Sequence, residues 1–234
     1  SVEAPIAGLR EVKTAAGGVF ASNSSLCGGF NAKVIRHLNE VVAEYEPKVG
    51  RENILIYPVG RKVADAVKKM EGLTAAGDYQ HMSGKPNYQE AADLAAELMT
   101  RFASGEIQQV ELLYNHFKST STQVLTRETY LPLDLSAGHA DEKGEEQEAM
   151  QADYLIEPSP EQVMEELLPK VLRMKMYTVL LDSTASEHAA RTMAMQIATD
   201  NANDLIQELT LIYNKSRQQA ITNELLDIVG GSMS

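Results

Sequence analysis

The single cysteine of the chain, Cys27, stands in the run Ser25-Leu26-Cys27-Gly28-Gly29, between an apolar stretch and a helical pattern. A turn of that kind can expose a nucleophile or lay backbone N–H groups around a phosphate. Nucleophilic use of Cys27 needs a base to take the thiol proton, and His37, His81 and His116 are the candidates. The spacing matches neither a Walker loop nor a G-x-G-x-x-G fingerprint. A glycine pair also serves as a plain tight turn that lets backbones approach closely. Five histidines and one cysteine, scattered along the chain, give no ligand spacing for a metal. Nothing calls for a cofactor. Farther along, Arg191 and Asp200, then Gln218, Thr222 and Asp227, punctuate a long helical pattern. Such groups usually form a solvated face; on a shaft inserted into a partner they are the groups that hydrogen-bond to it.

The elements that must hold these residues alternate. Ala16–Ala21 reads as a buried strand, and Ala32–Tyr45 has helical spacing, with Val34, Ile35, Leu38, Val41 and Val42 on one stripe. Asn53–Val59 is a second strand, Arg61–Met70 a short helix before Gly72, and Tyr88–Ala103 a helix before Gly105. Val110–Lys118 and Thr122–Leu131 are β-branched and aromatic, and the short link between them makes them antiparallel neighbours. The alternation indicates an α/β layer, a Rossmann-like three-layer domain with a partly parallel sheet. Residues 136–151 form an acidic surface loop, and Asp153–Ile156 can add an edge strand.

From Lys170 to Val229 the sequence contains no glycine or proline and reads as one helix. Sixty helical residues would span about 90 Å, longer than a small domain is wide. Ser159, Pro160 and Gln162 mark its start as a capping box; Pro169 predicts a kink or a brief break, and Gly230-Gly231 a stop. Ala185, Ala189, Ala190, Ala194, Ala198 and Ala202 form a small-residue surface. Leu205, Leu209, Ile212, Ile221, Leu225 and Ile228 then follow at the three- and four-residue steps of a coiled-coil seam. The helix either packs along its own domain or is half of a coiled coil whose second helix lies elsewhere. The domains expected are 1–157, globular, and 158–234, the helix.

The formal net charge of −12 without a Lys/Arg cluster excludes nucleic acid and anionic membrane faces as natural partners. No stretch approaches the roughly 18 apolar residues of a membrane span, and no signal peptide is visible. The lone cysteine suits a reducing compartment.

Five segments together resemble the γ subunit family of F-type ATP synthase, the central rotor shaft. ITNELLDIVGG (Ile221–Gly231) is close to the family's closing motif, with Ser232 where alanine is expected. SEHAARTMAMQIATDNANDLIQEL (Ser186–Leu209) and LIYNKSRQ (Leu211–Gln218) match without gaps. SSLCGGFN (Ser24–Asn31) is similar to the family's R-G-L-C-G-G-L-N, and DYLIEPSP (Asp153–Pro160) fits its foot region.

The resemblance implies a non-catalytic subunit that turns inside a hexamer of α and β subunits and couples proton-driven rotation of a membrane c-ring to ATP chemistry. It places Arg191, Gln218, Thr222, Asp227 and Cys27 against catalytic subunits, and Tyr154 and Glu157 against the ring and the ε subunit. It implies a peripheral complex on the cytoplasmic face of a bacterial plasma membrane, with the chain by itself soluble. The family begins with a helix antiparallel to the closing one; this sequence starts at Ser1, just before the α/β part, so the expectation is that this helix is lacking. A Cys27-dependent enzyme and an α/β nucleotide-binding module are the alternatives.

Overall fold

The computed structural model describes residues 12–133 and 160–232, in the last helix with side chains from residue 163. Five strands form one sheet: β1 (Ala15–Phe20), β2 (Ile54–Val59), β3 (Thr74–Ala75), β4 (Gln109–Phe117) and β5 (Gln123–Leu131). Their order is β3-β2-β1-β4-β5; β4 and β5 are antiparallel and the other pairs parallel. The helices are α1 (Phe30–Val49), α2 (Arg61–Val67), α3 (Gln80–Gly84), α4 (Tyr88–Ala103) and α5 (Pro160–Ser232). The three-layer, partly parallel architecture is as expected. The short β3 and α3 carry too few residues for a periodic signal.

Alternation along the strands fills two cores. Val19, Ile54, Ile56 and Leu113 meet Val34, Leu38 and Val42 of α1 and Val63 and Val67 of α2. Phe20, Tyr57, Leu112 and Tyr114 point to the other face, against Leu94 and Leu98 of α4 and Leu172, Met176 and Leu180 of α5. β1 is central and small-sided for a reason: a Cβ on Gly18 would come within 2.7 Å of Leu112 Cδ2. At the outer antiparallel pair a polar joint replaces packing. Arg127 Nε donates to Glu111 at 2.7 Å and Nη1 to Glu44 at 2.6 Å, tying β5 to β4 and α1. The guanidinium holds the Glu44 carboxyl below its usual value. Burial, then the neighbouring Glu111, pushes the Tyr45 hydroxyl up to about 12.

α5 starts at Pro160 and continues without a break through Pro169. Leu168 and Leu172 are buried on either side, and the carbonyl deprived of a donor belongs to the exposed Glu165, where water can satisfy it. It also runs through Gly230 and Gly231 to Ser232 rather than stopping at the pair. Neither glycine takes the positive φ of a C-terminal cap, and helical glycine costs only about 1 kcal/mol. The expected cap at Ser159, the side chain of Gln162, the acidic loop 136–151 and the strand at 153–156 lie outside the described residues.

The chain divides into two compact units, one ending at Arg191 and the other running from Thr192. The 157/158 boundary read from the sequence lies outside the described residues. The compact division falls later because the first part of α5 is a core element of the sheet domain. In the second unit Leu205, Leu209, Ile212, Ile221, Leu225 and Ile228 are 49–67% exposed. The reading of a helix packed along its own domain therefore applies to the first part of α5, and the apolar seam of the far part is exposed.

Candidate functional site

The chain enters the turn after β1 at Ser22, which is fully buried, and leaves it at Asn31 in the first turn of α1. Asn31 organises everything between. Its Oδ1 accepts from the Ser22 backbone N–H at 3.0 Å, and its Nδ2 donates to Ser22 Oγ at 2.7 Å, to the Ser24 carbonyl at 3.2 Å and to Cys27 Sγ at 3.2 Å. Ser22 Oγ donates to the same Ser24 carbonyl at 2.6 Å. Leu26 and Gly28 both take positive φ, at 67° and 57°. Leucine in that conformation is strained, and Leu26 is also 78% exposed, so the fold holds an apolar side chain out at the tip against both preferences.

Cys27 points inward and is 2% exposed. Its sulfur meets an amide, a hydroxyl and a carbonyl, none of which removes a proton at neutral pH. No histidine is among the hydrogen-bond partners of the sulfur: His37 Nδ1 pairs with Glu40 at 2.8 Å, His81 Nδ1 with Glu90 at 3.6 Å, and His116 Nδ1 with Asp182 at 2.5 Å. The turn is a structural part, and the cysteine-nucleophile reading loses its base.

The nucleotide reading fails on topology. In a sheet of this order the crevice outside the ends of β1 and β4 is the switch point where ligands of open α/β folds bind. Here α5 crosses it. Ser186 Oγ donates to the Asn115 carbonyl at 2.9 Å, and Asp182 Oδ1 accepts from the Phe117 N–H at 2.7 Å. Arg191 Nη2 donates to Ser24 Oγ at 2.7 Å and to Glu187 Oε1 at 2.7 Å. Ser183, Ser186 and Glu187 are buried there. Lower on the same helix Lys175 pairs with Glu128 at 3.0 Å, while burial and the Glu128 carboxylate hold the Tyr114 hydroxyl above its ordinary range.

Of the residues singled out from the sequence, Cys27 and Arg191 come together through Ser24. Gln218, Thr222 and Asp227 lie on the exposed far part of α5, where Thr222 Oγ1 donates to the Gln218 carbonyl at 2.9 Å. Tyr154 and Glu157 are outside the described residues. Asp182, Ser186 and Glu187 were missed. Ser186 and Glu187 had a signal: they continue the buried face of Leu172, Met176 and Leu180 with polar groups, and a buried polar group needs a partner; Asp182, on the rim of that face, had none. Among the described residues no group of three or more His, Cys, Asp and Glu is placed to hold a metal, and no helix is long and apolar enough to cross a membrane.

The family model described as ATP synthase matches residues 2–234. The chain belongs to the ATP synthase gamma family. The ATP synthase gamma chain of Phocaeicola vulgatus is 68% identical over 233 residues, covering 100% of this chain and 78% of that one. The gamma chain of Bacteroides thetaiotaomicron is 55% identical, covering 99% and 79%. Among solved structures, a chain of the Euglena gracilis mitochondrial ATP synthase superposes with a TM-score of 0.63 at 22% identity, covering 99% of this chain and 78% of that one. A chain of the Tetrahymena thermophila central stalk and c-ring gives 0.57 at 23% identity, covering 82% and 79%. These distant likenesses establish that the fold is shared. Membership of the gamma family makes the chain a subunit of an ATP synthase complex.

Proposed function

We propose that the chain is the central-stalk rotor subunit of an F-type ATP synthase, coupling rotation of a membrane ring to ATP synthesis or hydrolysis in a catalytic hexamer. One observation carries this reading beyond the family assignment: from Thr192 onward α5 leaves large apolar side chains exposed at coiled-coil spacing. Leu205, Leu209, Ile212, Ile221, Leu225 and Ile228 are half the seam of an antiparallel coiled coil. The subunit itself is non-catalytic; it acts by contacting each catalytic site differently as it turns, which shifts their conformational populations.

Gln218, Thr222 and Asp227 are the groups that hydrogen-bond to α and β subunits. The turn built on Cys27 and tied to Arg191 presents Leu26 to a catalytic subunit. Tyr154 and Glu157 meet the c-ring and the ε subunit. The complex is peripheral, on the cytoplasmic face of a bacterial plasma membrane, and neither a cofactor nor nucleic acid takes part. The test is reconstitution with matching α and β subunits and the membrane sector. Triple replacement of Gln218, Thr222 and Asp227 by alanine should leave the purified chain's melting temperature unchanged and lower ATP-driven proton pumping at least tenfold. Pumping at the unmodified rate would remove these residues from the contact.

A further inference from the structure

Apolar contact fixes where α5 lies on the sheet, but it resists rotation of the helix about its own axis poorly, because apolar attraction has no direction. Leu168, Leu172, Met176, Val179 and Leu180 supply that contact, and beyond Leu180 the buried apolar residue of α5 is Ala189 alone among those described. The helix is held there by directional bonds. At about 100° per residue, Leu172, Met176, Val179 and Ser183, all buried, fall near the centre of the buried face. Asp182 and Arg191, nine residues apart, fall about 180° from each other, one on each rim of that face.

Each rim residue is bonded to a different part of the sheet domain. Asp182 accepts from the end of β4, through the Phe117 N–H at 2.7 Å and His116 Nδ1 at 2.5 Å. Arg191 donates to Ser24 Oγ in the turn after β1 at 2.7 Å, and Glu187, one helical turn back, steadies its guanidinium at 2.7 Å. Rotation of α5 in one sense stretches the Asp182 bonds; rotation in the other stretches the Arg191 bond. Ser186 Oγ, bonded to the Asn115 carbonyl, falls about 40° from Asp182 and acts on the same side of the face.

We infer that Asp182 and Arg191 are a pair of opposed rotational stops that fix the angular setting of α5 on the sheet domain and so let torque pass between them. The inference rests on the rotor reading for its purpose, and on the geometry alone for its existence. Both residues are positioning residues.

Two measurements test it separately. In the full chain alone, hydrogen exchange read by residue should respond locally. Arg191→Ala speeds exchange in the turn 22–29 at least tenfold and leaves the Phe117 amide unchanged; Asp182→Ala speeds Phe117 at least tenfold and leaves the turn unchanged. Arg191→Lys restores most of the turn's protection. In the reconstituted complex, the Asp182→Ala/Arg191→Ala double variant should lose at least threefold in protons pumped per ATP hydrolysed while hydrolysis continues. Unchanged exchange in both single variants overturns the stops whatever the complex does. Local exchange changes with an undiminished pumping ratio overturn their role in passing torque. A complex that fails to pump with the unmodified chain counts against the rotor reading, and the exchange result then decides whether the stops exist.

Discussion

Gly60 is the residue whose replacement the structure forbids most directly. Its φ is 110°, and a Cβ there would lie 2.1 Å from the Ala21 carbonyl oxygen, a backbone atom that cannot swing aside. The same backbone approach carries the Lys62 N–H to the Ser22 carbonyl at 3.1 Å, which seats the turn of Cys27 against the start of α2. Gly60→Ala should cost at least about 3 kcal/mol in urea unfolding. Gly105→Ala, at φ 81° with nothing within 4 Å, should cost only the roughly 1–2 kcal/mol of the left-handed backbone. The tyrosines give the alkaline limit. Burial first, then Glu111 and Glu97 respectively, raises Tyr45 and Tyr57 to about 12, against about 10 in the unfolded chain. Between those values the unfolded state has released protons that the folded state keeps, so their contribution to stability is complete below pH 10 and is lost as the pH climbs towards 12. In a spectrophotometric titration, Tyr45→Phe and Tyr57→Phe should each remove signal from the step that accompanies unfolding; loss of signal from the reversible step of the folded protein instead would contradict the assignment.

α5 is the element that the sequence described most accurately in type and least accurately in use. Its length, its apolar steps and its closing motif are local properties, so they were legible. How its first half is used depends on a sheet assembled from distant residues, such as Tyr130 and Asn115, 42 and 71 positions before their partners on α5, and helical periodicity does not say what a stripe packs against. The stop read at Gly230-Gly231 misled for the same reason. A local signal carries a modest energy, and buried neighbours or an uncapped end outweigh it. The turn was legible as a turn, but its interior was not: Asn31 acts on residues up to nine positions away through its side chain, a pattern with no spacing rule. The core role of α5 is measurable. Leu172 is 1% exposed, so Leu172→Ala should cost about 2–5 kcal/mol, whereas Leu205→Ala, at 55% exposure, should change the chain's stability by less than about 0.5 kcal/mol. A cost at Leu205 equal to that at Leu172 would mean that the free chain already buries its far helix.

At the scale of the whole molecule, the two units are stabilised by different physics, and that sets how they behave alone and in an assembly. The unit ending at Arg191 has two apolar cores on the faces of one sheet, so its central strands open only when the whole unit unfolds. The unit from Thr192 carries a helix whose large apolar residues are half or more exposed, so its amides are protected chiefly by helix propensity and side-chain pairs along the helix. In the purified chain at low concentration, hydrogen exchange should therefore be slow in β1, β2 and β4 and orders of magnitude faster from residue 192 onward. Raising the concentration should slow the second unit alone if copies pair through the Leu205–Ile228 seam, since burial of that seam is the driving force exposed to solvent. Assembly with α and β subunits and a second seam helix should slow it more, without altering the first unit. The pattern has one clear negative. Uniform protection across Arg191 and Thr192, independent of concentration, would show that the second unit already has a core, and that the exposed seam is not what the assembly covers.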